Sequence, residues 1–191
     1  MHLAPPLVVV CVGTDHHPFD RLVGWVDRWA ATETGKKARV VVQHGTASPP
    51  DVAEARELIP HEELCEMFGM AAAVVSHGGP STVMDARMVG SAPLVVPRNP
   101  AFGEHVDDHQ MRFGRHLDRH GLSTLASNEA ELHGFLDRAV EDPEVYRLEL
   151  GPEKLSSGVL RFATLVDHLL QVRSVDSSRI VELDSTGGVI R

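Results

Sequence analysis

Three stretches of this chain carry residue types able to do chemistry. The first runs Ser76, His77, Gly78, Gly79, Pro80, Ser81, Thr82 and closes on Asp85. Paired glycines let a backbone come close to a ligand, and proline suits the first turn of a helix. The N–H groups of that turn, with the Ser81 and Thr82 hydroxyls turned outward at a positive helix end, would hold a diphosphate. A plain strand-to-helix turn with a capping hydroxyl is the competing reading, and no Walker lysine follows. The second stretch, 96–110, holds Glu104, His105, Asp107, Asp108, His109 and Gln110. Asp107 or Asp108 can cap a helix there, which places His109 and Gln110 in its first turn, within reach of sugar hydroxyls; a capped, solvated loop is the alternative. The third is Gly13, Thr14, Asp15, His16, His17, Pro18, Phe19. Its adjacent histidines are an acid/base pair, metal ligands or ordinary surface residues.

Each stretch needs an element to aim it. Residues 7–12 form an unbroken β-branched run, the pattern of a strand buried on both faces. Residues 39–43, 71–76 and 93–97 read the same way, with shorter strands expected at 57–59 and 122–125. Between them helices are expected over 19–31, where Phe19, Leu22, Val23 and Val26 recur at helical spacing, and over 60–70, 81–89 and 107–120. Asp15 or Pro18 is the start signal of the first, and Asn128 caps a last core helix through 140. This alternation implies βαβ units and a parallel sheet with right-handed crossovers. The expected fold is therefore α/β, a Rossmann-like parallel sheet with helices on both faces. Ligands of such folds sit beyond the carboxyl ends of the strands, where all three polar stretches fall. Residues 1–148 make the binding domain. Residues 149–191 are expected to add a helix over 156–172 and a flexible tail.

Composition narrows the partners. The 191 residues carry 18 basic and 27 acidic side chains, a net charge of −9, which argues against a nucleic-acid binder. Cys11 and Cys65 make neither a disulfide framework nor a metal-type spacing, so a reducing, cytoplasmic location is expected. Residues 1–6 lack the marks of a signal peptide, and no apolar run is long enough to span a bilayer. Twelve histidines raise a metal-dependent hydrolase built on His16, His17, His77, His105, Asp108 and His109 as an alternative. No HExxH pattern supports it, and the expectation is no tightly bound metal and no cofactor.

Taken together, His77 to Thr82, then Asp85, Gly90 and Pro93, then Asp108, His109 and Gln110 resemble the C-terminal domain of glycosyltransferase family 28. Val12, Gly13, Thr14 with Phe19, and Val96, Pro97, Arg98 with 103–110, are similar to single-domain members of that family. Those are the cytosolic subunit of the dolichol-linked N-acetylglucosaminyltransferase and bacterial exopolysaccharide glycosyltransferase subunits. The resemblance implies one half of a GT-B fold that binds a UDP-sugar donor for an inverting transfer to a lipid-linked or exopolysaccharide acceptor. It implies that Gly78, Gly79, Ser81 and Thr82 hold the diphosphate, that Asp85 binds the ribose, and that Gln110 and His109 contact the sugar. Gly13, Thr14, His77 and Arg98 complete the donor set, and His17 or His16 is the expected base. Two departures stand out: Asp85 replaces the usual glutamate, and two residues rather than one separate Gly90 from Pro93. The acceptor half is missing, so a membrane-associated partner subunit is expected to supply it and to recruit the chain to the inner membrane face. A non-catalytic nucleotide-sugar-binding protein is the remaining alternative.

Overall fold

The computed structural model describes residues 4–149, and the expected 156–172 helix and the tail lie outside the described residues. Six strands run parallel: β1 (Leu7–Cys11), β2 (Arg39–Gln43), β3 (Glu54–Arg56), β4 (Ala73–Ser76), β5 (Leu94–Val95) and β6 (Thr124–Leu125). Their order across the sheet is β3-β2-β1-β4-β5-β6. The chain winds outward from β1 in one direction, then returns to β4 and winds in the other. The reversal places β1 beside β4, and a crevice opens beyond their carboxyl ends. Among the described residues four α-helices connect strands, α1 (Asp20–Ala30), α2 (His61–Met70), α3 (Pro80–Met88) and α4 (His109–Arg119), and α5 (Glu129–Glu141) follows β6.

The continuous valine runs are explained by a sheet covered on both sides. Successive strand side chains point to opposite faces. Val8, Val10 and Val12 pack with Leu22, Val26 and Trp29 of α1 and Leu132 and Leu136 of α5. Val9 and Cys11 pack with Leu64, Met67 and Phe68 of α2 and Ala86 of α3. Trp29 Nε1 donates to Asp137 at 2.9 Å, so the largest core side chain also satisfies its polar atom.

The third strand departs from expectation. It is Glu54–Arg56, three residues earlier than the apolar 57–59 segment suggests. An edge strand pairs through its backbone and needs little burial, so Glu54, Ala55 and Arg56 serve opposite Val41, Val42 and Gln43. Ile59 instead plugs the core against α2 while Leu58 faces outward. The start of α1 also differs: Phe19 occupies the cap position, is fully buried, and offers no capping oxygen. At α5 the expected Asn128 cap is present, accepting from the Glu131 N–H at 2.9 Å.

Candidate functional site

The turn after β4 is built by backbone shape. Gly78 has φ +84°, the left-handed region that a side chain adopts only with strain. Its N–H is taken by Ser76 Oγ at 3.1 Å. Gly79 then caps α3, with Pro80 as the first helical residue and no side chain capping the turn. The first N–H groups of a helix have no intrahelical partner, so those of Ser81 and Thr82 remain for an anion. The Ser81 side chain is exposed. Thr82 is buried near the Cys11 thiol, so its hydroxyl is less open than the outward position the sequence suggests.

His77 is clamped by two glycines. A Cβ on Gly13 would come within 2.7 Å of its ring, and one on Gly79 closer still. Its Nδ1 lies 3.3 Å from the Cys11 carbonyl, which can only accept, so that nitrogen carries the proton. Burial holds the imidazole down, to about 4, with the Arg98 charge adding to the effect, so His77 is neutral at physiological pH. The glycines at 13 and 79 thus shape the crevice through one neutral ring.

The loops after β1 and β5 are tied together by Arg98, which is 1% exposed. Its guanidinium donates to the carbonyls of Val12 (2.8 Å), His17 (2.5 Å) and Glu104 (3.1 Å), and it stacks over Phe19. Spent on three carbonyls, it holds the walls of the crevice in place. A second tie is the two-pronged pair of Arg21 with buried Glu104, at 2.8 and 2.7 Å. Glu104 also accepts from the Asn99 N–H.

Between the loops lies an alternating row of imidazoles and carboxylates. His17 Nδ1 is 2.6 Å from Asp15 Oδ1. The other Asp15 oxygen is 3.6 Å from His105 Nε2, and His105 Nδ1 is 3.5 Å from Asp107, which in turn bonds His109 Nδ1. Burial alone would raise Asp15, but the backbone N–H and ring of His17, with the Arg98 charge, outweigh it and hold the carboxyl at about 2. Burial and the nearby His109 push His105 down. Because Asp15 accepts at Nδ1 of His17, that ring keeps its Nε2 for other work. His16 is a weaker neighbour, 84% exposed and 3.6 Å from Asp15.

The structure gathers most of the expected set around this crevice. Gly13, His77, Gly78, Gly79 and Ser81 line the β1–β4 side, and Thr14 is exposed beside them. His109 and Gln110 open α4, with Asp107 rather than Asp108 accepting from the His109 N–H at 3.1 Å. Gln110 is 6% exposed, and its side-chain oxygen is buried without a protein donor. Asp85 sits one turn into α3, where His61 of α2 meets it at 3.0 Å. Asp15, Glu104 and Asp107 stood in the polar stretches but were given no role in holding the donor or moving a proton. A histidine two residues from a carboxylate, as at 15/17, 105/107 and 107/109, was the visible signal.

A parallel sheet that reverses at β1 and β4, with a glycine turn at a helix start on the reversal, is a Rossmann-like fold. The comparisons agree. The chain matches the family model described as "Glycosyltransferase family 28 C-terminal domain" over residues 7–148, and it belongs to that family. The sheet and helices are one half of a GT-B glycosyltransferase fold. Similar solved structures include the kitacinnamycin glycotransferase, with TM-score 0.56, 16% identity, and coverage of 93% of this chain and 44% of that one. The calicheamicin glycosyltransferase CalG4 aligns with TM-score 0.51, 16% identity, and 84% and 44% coverage. The glycosyltransferase VinC, solved in complex with dTDP, aligns with TM-score 0.50, 20% identity, and 87% and 41% coverage. This chain spans less than half the length of these proteins. No curated protein sequence matches it. Among the described residues, no helix is long and apolar enough to cross a membrane.

Proposed function

We propose that this chain is the donor-binding, catalytic part of an inverting glycosyltransferase. It takes a UDP-sugar, carrying N-acetylglucosamine or another hexose, and passes the sugar to a lipid-linked or exopolysaccharide acceptor. A membrane-associated partner subunit presents that acceptor at the cytoplasmic face. The observation that carries the reading is the uncapped start of α3 behind Gly78 and Gly79, at the sheet's reversal. Backbone N–H groups there can take the growing charge of a departing diphosphate without reorganising. The dTDP bound to VinC supports a pyrimidine nucleoside diphosphate.

The other residues supply the rest of the reaction. Asp85 accepts from the ribose hydroxyls. A sugar hydroxyl donates to the buried Gln110 oxygen, whose lack of a protein partner is otherwise costly. Thr14, Ser81 and His109 complete the donor contacts, while Arg98 acts through the loops that it ties. The acceptor oxygen attacks the anomeric carbon as the bond to the diphosphate oxygen breaks. His17 takes the acceptor proton on Nε2, with Asp15 holding its Nδ1, and His16 stands beside it. No metal is needed in this scheme, because a helix end and N–H groups stand where a cation would.

Titration calorimetry with UDP and dTDP tests the donor site. Wild-type protein is expected to bind UDP. Gly79→Ala, whose Cβ would run into the His77 ring, is expected to weaken binding at least roughly tenfold with the fold retained. Folded wild-type protein that binds neither nucleotide would falsify the reading.

A further inference from the structure

We propose that His61, Cys65 and Asp85 form a three-ligand site for a zinc-class divalent cation, and that filling it removes Asp85 from the nucleotide. The second half rests on the donor reading above; the first does not. His61 and Cys65 are one turn apart on α2, and residues at that spacing share a helix face. Asp85 comes from α3, which packs beside α2. The ligand atoms of all three lie within 4.8 Å of one another.

The distances match a metal's coordination edges. With zinc–sulfur bonds of about 2.3 Å and zinc–nitrogen or –oxygen bonds of about 2.0 Å, tetrahedral geometry separates sulfur from nitrogen by about 3.5 Å and nitrogen from oxygen by about 3.3 Å. Here Cys65 Sγ is 3.6 Å from His61 Nε2, and the same Nε2 is 3.0 Å from Asp85 Oδ2. One imidazole nitrogen therefore faces both a thiol and a carboxylate. Carrying a proton it can serve only the carboxylate, and without one only the thiol. A cation serves all three lone pairs at once.

The donor set also selects the ion. Sulfur, imidazole and one carboxylate suit zinc or cobalt and not calcium or magnesium, which take oxygen ligands. The His61 side chain is 73% exposed, so a fourth position stays open to water. The expectation of no bound metal rested on contiguous motifs. This set is assembled from two helices 24 residues apart at its widest.

Cobalt(II) titrated into the full chain under a non-thiol reductant, without nucleotide, tests the site. One ion per chain is expected, with a thiolate-to-cobalt charge-transfer band that zinc abolishes. The band belongs to Cys65, because Cys11 is buried and bonded to Gln43. Cys65→Ser should lose it, and His61→Ala should weaken cobalt binding at least roughly tenfold. Cobalt uptake without the band overturns the site, since the ion then sits on the crevice histidines; a band insensitive to His61→Ala overturns it too, since the thiolate then holds the ion without the imidazole. Calorimetry with UDP tests the antagonism: zinc-loaded protein should bind it at least roughly tenfold more weakly, and UDP should weaken cobalt equally. Equal UDP affinity with the site filled overturns that half. Metal-free protein that fails to bind UDP speaks against the donor site and leaves the cobalt result to stand.

Discussion

The two sides of the crevice are made of different material. The β4 turn presents backbone: two glycines, an uncapped helix start and a neutral His77 wedged in place. The β1 and β5 loops present side chains, with Asp15, His17, His105, Asp107 and His109 in a row and Arg98 pinning the loops from behind. Fixed N–H dipoles suit a ligand whose charge is always present. Titrating side chains suit a proton that must move. In the proposed reaction the β4 side holds the diphosphate and His17 on the other side moves the proton, so the two roles should be separable by mutation.

The largest effect is expected in turnover. The isolated chain should bind donor yet transfer slowly, because alignment of the acceptor supplies much of the rate. Adding the acceptor-binding partner should raise turnover by orders of magnitude. In that complex His17→Ala should lower kcat by roughly 10²–10⁴-fold while donor affinity barely moves, the reverse of Gly79→Ala. Rapid transfer by the chain alone, or a His17→Ala variant that loses donor affinity instead, would erase the division between the two sides.

Next in size is a pH effect confined to the β4 side. The His77 ring titrates near 4 in the folded chain against an ordinary 6.5. Between these values the unfolded chain takes up a proton that the folded chain refuses. Stability is therefore full above about pH 6.5 and falls as the pH drops toward 4, by on the order of 3 kcal/mol. Urea unfolding near neutral pH and near pH 4 should show this loss in wild type and much less of it in His77→Gln. Asp15 runs the other way. Held at about 2, it contributes stability above its ordinary 3.8 and loses it only as the pH falls through about 2. An equal acid loss in His77→Gln would mean that the His77 ring is not the titrating group.

The smallest effect belongs to a pair outside both sides. Arg28 and Glu129 join α1 to α5 at 2.6 Å, but the side chains are 59% and 34% exposed. Arg28→Ala should cost at most about 1 kcal/mol in thermal unfolding and leave UDP binding unchanged. A larger loss would show that the α1–α5 face steers the crevice.

Most of the frame is legible in the sequence. Valine runs at 7–12 and 39–43 announce strands covered on both faces, because only a doubly covered sheet leaves no polar side to alternate. The pair Gly78 and Gly79 before Pro80 announces a turn into a helix, since the requirement is local. β3 was displaced because an edge strand is chosen by its neighbour's hydrogen bonds and not by its own hydrophobicity.

What the amino-acid order determined by itself was therefore local: periodicity, turns, the glycine-proline helix start and the sequence resemblance they carry. What only the tertiary structure decided was who faces whom across long chain separations. Arg98 reads as a loop cation, yet folding sends it under the β1 loop onto Val12 and His17. Thr82 reads as an outward hydroxyl, yet folding buries it near the Cys11 thiol. Asp15 meets His105, and His61 meets Asp85, because the sheet's reversal and the pairing of α2 with α3 bring them together. A proton acceptor or a metal ligand is defined by atoms a few ångströms apart, and such distances between remote residues are set by the packing of layers.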